Sequence, residues 1–193
     1  IGECYLNIED YSKSKYYYNR AIDINKNNDT AWFGIGLINW IEQNFEASIK
    51  FITKAIKFDE LNSEYWLTLG KINKDFNNKP NAVAALKKAA QIEPENIEIW
   101  FTWVDLYIKF GENENAIRIL KKAIKNNTNA ILKYRLVDLL LEQKKLDEAY
   151  ELLSFALMQD FKQVEFLFEM NPKLKKNKKI NQLVDDFRRY NQK

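Results

Sequence analysis

The chain has 193 residues, of which 46% are apolar and 30% are charged, and its formal net charge is +3. This apolar content excludes wholesale disorder, and the near balance of charge excludes the global positive field of many nucleic-acid-binding proteins. Five glycines and three prolines are too few for an all-β domain with many turns, so we expect an all-α protein.

The chain begins with Ile1 rather than Met, so we expect a fragment or a processed product. Gly2 to Tyr5 are predicted to lie at the end of a helix, and its partner helix is predicted near 11–25. The single cysteine, Cys4, excludes an internal disulfide and is predicted to be a small buried hydrophobic residue. One cysteine fits a reducing compartment, so the expected location is cytoplasmic.

Four further helix pairs follow from the 34-residue repeat described below, and Asn-rich joints between the helices can supply caps. In chain order they are about 29–43 with 46–59, 63–76 with 80–93, 97–110 with 113–126, and 130–143 with 147–160. No segment reaches the roughly 18 consecutive apolar residues that a membrane span needs. We therefore expect no membrane span.

A period of 34 residues runs through these predicted helices. It separates three tryptophans, four alanines and three glycines, and a further alanine, Ala156, arrives one residue early. These residues are Trp32, Trp66 and Trp100; Ala21, Ala55, Ala89 and Ala123; and Gly2, Gly36 and Gly70. Because three residue types share one period, we predict that a small residue lets two helices approach while the large ring fills the space beside it.

With these residues the chain resembles the tetratricopeptide repeat family, whose unit is a helix–turn–helix of 34 residues. The fullest copy of the family signature is Trp66-x-x-Leu69-Gly70, which is followed by Ala82, Leu86, Ala89 and Pro94. The resemblance implies a right-handed superhelical solenoid of stacked antiparallel helix pairs. Its repeats would span about 1–28 (partial), 29–62, 63–96, 97–129 and 130–163, with a C-terminal capping segment at 164–193.

The last segment is basic and amphipathic. Ile180, Leu183, Val184 and Phe187 recur at helical spacing, and from residue 171 onward eight Lys or Arg face two Asp, a local balance of +6. Such a helix is typical of membrane-surface or acidic-partner motifs, but a solenoid also needs a terminal helix to cover its last repeat. We expect this segment to be such a cap, with its apolar face packed on Leu153 and Leu157. Phe187 is then expected to be buried, and "KLKKNKK" to lie in solvent.

The sequence offers little for catalysis. Histidine, the commonest general base and metal ligand, is absent. There is no phosphate-binding loop motif, and the "GIG" at Gly34 to Gly36 lies inside a predicted repeat helix. Adjacent carboxylates such as Asp185 and Asp186 are expected on a solvated helix face. We therefore expect no enzyme activity in this segment, no catalytic residues, no cofactor and no metal.

The resemblance implies that the first helix of each repeat lines a concave groove. The residues one, five and eight places after the tryptophan position lie on one helical face and are expected to bind a partner. They are Phe33, Leu37 and Trp40; Leu67, Lys71 and Lys74; Phe101, Asp105 and Ile108; and Tyr134, Asp138 and Leu141. Phe33 and Trp40 are candidate anchors for a partner side chain, and the alternative is that both rings pack against the neighbouring repeat.

We therefore expect a non-enzymatic scaffold that binds a peptide or helix of a partner protein in this groove. One alternative is a docking segment of a larger protein whose catalytic domain lies elsewhere. Another is an RNA-binding repeat, which is less favoured because Glu64, Glu98, Asp105 and Asp138 line or flank the groove. Self-association through the N-terminal edge is also expected to be possible.

Overall fold

A computed structural model of the protein describes residues 1–191, and within these residues all regular secondary structure is helical. The bounds lie within two residues of those predicted for nine of the ten repeat helices, the first having had no predicted bounds, and the all-α class is confirmed. The repeat helices are α1 (Gly2–Asn7), α2 (Tyr11–Ile24), α3 (Asp29–Ile41), α4 (Phe45–Phe58), α5 (Ser63–Asp75), α6 (Lys79–Ile92), α7 (Ile97–Lys109), α8 (Asn113–Asn126), α9 (Ala130–Glu142) and α10 (Leu146–Gln159). The last two helices are α11 (Val164–Met170) and α12 (Lys178–Asn191).

The chain forms two compact units, an N-terminal unit from Ile1 to Leu106 and a C-terminal unit from Tyr107 to Lys193. In the N-terminal unit α1 pairs with α2, α3 with α4 and α5 with α6, while α2 also packs on α3 and α4 on α5. In the C-terminal unit α9 pairs with α10 and packs on α8 and α11, and α12 packs on α10. Consecutive helices therefore form packed pairs, as in tetratricopeptide-like solenoids.

The turn inside each helix pair has three residues, and its middle residue has a positive φ. These middle residues are Glu9, Gln43, Asn77, Gly111 and Lys144, with φ between 57° and 71°. The next backbone N–H bonds to a carbonyl five residues earlier, as in Asn44 to Asn39 and Asn78 to Asn73. This bond satisfies a carbonyl that the helix end would leave unpaired, so the left-handed residue closes the first helix of the pair.

The repeat tryptophans close the joints between helix pairs. The indole N–H groups of Trp32, Trp66 and Trp100 donate to the backbone carbonyls of the residues six places earlier, at 2.9, 2.9 and 2.7 Å. Lys133 stands at the next tryptophan position, and the joint before it, 127–129, is one residue shorter than 25–28, 59–62 and 93–96. This shorter joint explains why Ala156 arrives one residue early.

The small residues lie where helices approach closely, as the period predicts. A Cβ atom on Gly36 would lie 2.5 Å from Cδ1 of Ile52, and one on Gly70 would lie 2.7 Å from Cγ of Leu86. Ser48, which corresponds to Ala82 of the next repeat, donates its hydroxyl to the Gly36 carbonyl at 2.8 Å. Each glycine therefore makes room for a branched side chain on the second helix of its own repeat.

The prediction that Cys4 is buried is wrong, because its side chain is exposed. Within α1 it is Gly2 that is buried, against the ring of Tyr18. Cys4 follows Gly2 by two residues, which is about 200° around an α-helix, so it points away from α2.

The last segment packs on the rest of the C-terminal unit. Ile180 and Val184 of α12 are buried in one core with Leu153 and Leu157 of α10, as the amphipathic pattern predicts. Two details differ from the prediction. Phe187 is half-buried, with its ring 5.5 Å from that of Phe161, because it lies near the end of α12 at the border of this core.

The second difference lies within "KLKKNKK", where Leu174 is buried although solvent was predicted for the whole stretch. A 3-10 turn from Pro172 to Lys176 directs this leucine into the core shared by α9, α10 and α12. The stretch is therefore anchored by one apolar side chain between lysines.

Candidate functional site

The predicted groove residues of the N-terminal unit divide into buried and accessible side chains. Phe33 and Leu67 are buried, and the Phe33 ring lies 4.5 Å from the ring of Tyr65 on the next first helix. These two side chains therefore fill contacts between helices. The accessible residues form what we call the first-helix surface, which consists of Leu37, Trp40, Lys71, Lys74, Phe101 and Asp105.

Trp40 is the largest side chain of the first-helix surface. Its ring is half-buried against the core of α3, α4 and α5, and its indole N–H donates to Oδ2 of Asp75 at 2.9 Å. Leu37 lies one helical turn earlier on the same side of α3 and is also half-buried. Together these residues form an apolar patch whose orientation is fixed by a hydrogen bond to the next repeat.

Charged residues continue the first-helix surface on α5 and α7. Lys71 Nζ lies 2.6 Å from Oε1 of Glu98, and the side chain of Glu98 is mostly exposed. Exposed ion pairs of this kind contribute about 1 kcal/mol or less, so a ligand carboxylate can displace Glu98 at little cost. The patch of Leu37 and Trp40 is thus followed by a lysine that can exchange its partner.

Predicted groove residues of the C-terminal unit are largely covered by the chain itself. Tyr134 is fully buried, its hydroxyl donates to the Asp160 carbonyl at 2.9 Å, and burial raises its pKa. Asp138 is 3% exposed and accepts a hydrogen bond of 2.9 Å from Asn171. Ile108 and Leu141 are half-buried. Tyr134 and Asp138 are therefore held within the C-terminal unit.

The sequence did not reveal the polar partners that hold these side chains. Asp75, Glu98 and Asn171 carry no motif of their own, and only the folded positions bring them to Trp40, Lys71 and Asp138. The one available signal is that Asp75 follows Trp40 by 35 residues, which places the two at nearly the same phase of consecutive repeats.

Between residues 1 and 191 no three potential metal ligands come together, and every helix is too short or too polar to cross a bilayer. An open cleft of about 540 Å³ lies beside α1 and α2, with Tyr17, Tyr18 and Ile24 in its walls. The predicted self-association at this edge remains a prediction.

Family models support the repeat assignment. Two tetratricopeptide repeat models match, one over residues 1–28, 29–60 and 63–96 and the other over residues 80–129. Together they cover more than half of the chain. No curated protein matches it in sequence.

Solved structures share the fold at low sequence identity. A crystal structure of MamA has a TM-score of 0.68 at 19% identity, covering 86% of this chain and 97% of that one. Pseudomonas aeruginosa PilF has a TM-score of 0.64 at 15% identity, covering 98% and 94%. YrrB, described as a TPR protein with an unusual peptide-binding site, has a TM-score of 0.56 at 16% identity, covering 88% and 91%.

Proposed function

Because the chain belongs to the tetratricopeptide repeat family, we propose that it is a protein-interaction scaffold whose first-helix surface binds an extended segment of a partner protein. The observation that carries this proposal is the half-buried Trp40, which is oriented by Asp75 beside Leu37. Large aromatic side chains held in a fixed orientation are typical anchors of protein interfaces. The description of YrrB as a peptide-binding TPR protein gives the fold a precedent for this activity.

The order of side chains defines the chemistry of the ligand. An extended peptide that crosses α3 and then α5 meets the apolar patch of Leu37 and Trp40 before it meets Lys71. We therefore expect an apolar or aromatic ligand residue on α3, followed by an Asp or Glu that displaces Glu98 from Lys71. Phe101 and Asp105 extend the surface along α7.

The test begins with selection of random twelve-residue peptides on the intact chain, followed by affinity measurements on the recovered sequences. Trp40→Ala is expected to weaken binding by about 2 kcal/mol, which is about thirtyfold, and Leu37→Ala by a smaller factor. Phe58→Ala is the matched control, because Phe58 is an apolar residue on the second helix α4 and is 37% exposed. It should change the affinity by less than about twofold.

Comparison of Phe33→Ala with Trp40→Ala distinguishes a residue that packs the fold from one that binds the peptide. Because Phe33 is 7% exposed and packs on Tyr65, its loss is expected to destabilise the fold by about 3 kcal/mol. Trp40→Ala should lower the peptide affinity while the protein remains helical. Peptides that bind the Trp40→Ala and Leu37→Ala variants at full strength would overturn the assignment of this surface.

A further inference from the structure

Residues 173–179, which end the connection between α11 and α12 and begin α12, include five lysines, and we propose that they bind the anionic surface of a lipid bilayer. We call residues 173–179 the lysine turn. Its lysines are Lys173, Lys175, Lys176, Lys178 and Lys179, and all five are exposed. This proposal is independent of the first-helix surface, which lies in the N-terminal unit.

The backbone of the lysine turn is held in place by its own sequence. Leu174 is buried in the core of the C-terminal unit. Asn177 Oδ1 accepts hydrogen bonds from the N–H groups of Lys179 and Ile180, and Asn181 Nδ2 donates to the Lys175 carbonyl at 2.8 Å. The ammonium groups therefore project from an anchored turn, and binding requires little ordering of the backbone.

The five lysines form no ion pairs with described carboxylates, although Glu165 and Asp185 line the same surface cleft as Lys175. Lys71 and Lys145, by contrast, each contact a glutamate. The first turn of α12 contains no acidic residue. The partial positive charge at a helix N-terminus adds to that of the lysines, so the turn presents a concentrated positive potential to an external anion.

The chemistry of the turn favours a bilayer over a nucleic acid. Single-stranded nucleic acids are bound by exposed aromatic rings that stack on bases, but Phe168, whose ring lies 6.0 Å from Lys175 Nζ, is buried. The turn contains no arginine, whose planar fork recognises individual phosphates. Clustered lysines act as point charges, and mobile lipid headgroups can gather around such charges.

The apolar side of α12 takes no part in this attraction. Ile180 and Val184 are buried against α10, so the helix cannot insert into the acyl layer without opening the core. Binding is therefore expected to be electrostatic and reversible, and to require a second attachment for stable anchoring.

The test is sedimentation of the intact chain with vesicles of phosphatidylcholine that contain, or lack, phosphatidylserine, at low salt. The wild type should bind only the anionic vesicles. Replacing all five lysines of the turn by Gln should reduce partitioning by about a hundredfold or more, since each lysine near such a surface contributes about fivefold. The control replaces five exposed lysines elsewhere, namely Lys50, Lys57, Lys87, Lys88 and Lys125, by Gln.

The control variant has the same net charge as the first variant, so it should keep most of the vesicle binding. An equal loss in both variants would overturn the proposal, because net charge alone would then account for the binding. Absence of wild-type binding to anionic vesicles would also overturn it. Binding to a short single-stranded RNA that persists at a salt concentration sufficient to release the vesicles would assign the turn to nucleic acid instead.

Discussion

Tyr18 lies so close to Gly34 that a Cβ atom on Gly34 would be 2.2 Å from the Cζ atom of the tyrosine. The residues 34 places further along the chain are Ile52 and Thr68. Where α2 has the large ring of Tyr18, α4 has the smaller Ile52. Where α3 has Gly34, α5 has the larger Thr68. The two positions are matched in size across the α2–α3 contact.

We predict that this match is measurable as a coupling between the two residues. Gly34→Thr alone should destabilise the protein by about 3 kcal/mol through overpacking, and adding Tyr18→Ile should recover at least about 1 kcal/mol of that loss. Chemical denaturation of the two single variants and the double variant measures the coupling. Gly34→Thr with Tyr16→Ile is the control, because Tyr16 is 55% exposed and should show no coupling.

The left-handed turn residues give a second prediction. Gln43 and Lys144 have φ of 61° and 57°, a conformation that costs side chains with a Cβ about 1 kcal/mol. Gln43→Gly and Lys144→Gly should therefore each raise the free energy of unfolding by up to about 1 kcal/mol, offset in part by the flexibility of glycine when unfolded.

Gly111→Ala is the reverse control for these substitutions. Gly111 has φ of 71°, and a Cβ atom there would meet nothing within 4 Å, so only backbone strain opposes the alanine. It should lower stability by about 1 kcal/mol. A lower melting temperature for both glycine variants would contradict the prediction.

The backbone conformation of these turns could not be predicted from the sequence, although the helix pairs could. The period of Trp, Gly and Ala predicts the helix pairs because it records which side chains meet between helices. It cannot predict a positive φ at Gln43 or Lys144, since only Gly111 and Asn77 have residue types that this conformation favours. The backbone conformation there is imposed by packing of the helices on either side.

The candidate site was predictable only as a face of the first helices. Spacing placed Phe33 and Trp40 on that face, but it could not tell that one ring is buried against Tyr65 while the other remains accessible. Asp138 was expected to line the groove, but it is buried and accepts a hydrogen bond from Asn171, which belongs to a segment outside the repeats that were identified. Burial of this kind depends on contacts across the chain, which periodicity does not record.

A third prediction concerns the dependence of stability on pH. Burial, together with the hydrogen bond of 2.8 Å that its hydroxyl donates to Asp29, raises the pKa of Tyr65 to about 12. An unfolded tyrosine has a pKa of about 10, so the folded state keeps this proton to higher pH. The stability that Tyr65 contributes is therefore present below about pH 10 and is lost as the pH rises toward 12.

Tyr65→Phe isolates this effect, because phenylalanine cannot ionise. The variant should be less stable than the wild type by about 1 kcal/mol near neutral pH, since it lacks the hydrogen bond to Asp29. The difference should shrink above about pH 10 and reverse near pH 12. Urea midpoints across this range provide the measurement, with Tyr16→Phe as an exposed control. A difference that stays constant with pH would contradict the prediction.

A fourth prediction concerns the packing of α12 on α10. Ile180 is fully buried with Leu153 and Leu157, so Ile180→Ala should lower the free energy of unfolding by about 3 kcal/mol. Gln182→Ala, at an exposed position of the same helix, should have almost no effect.

Deleting residues 171–193 should lower the melting temperature sharply and promote aggregation. A deletion variant that melts like the wild type would show that α12 contributes nothing to stability.

The indole hydrogen bonds at Trp32, Trp66 and Trp100 each join atoms only six residues apart in the chain. Each joint is thus specified by the residues that form it and needs no information from a distant repeat. A gene that duplicates or loses one block of 34 codons would keep every remaining joint intact. The tryptophan therefore allows the repeat to be copied as a unit. The joint before Lys133 has no indole, and there the side chains of Asn127 and Asn129 accept hydrogen bonds from the backbone N–H groups two residues later.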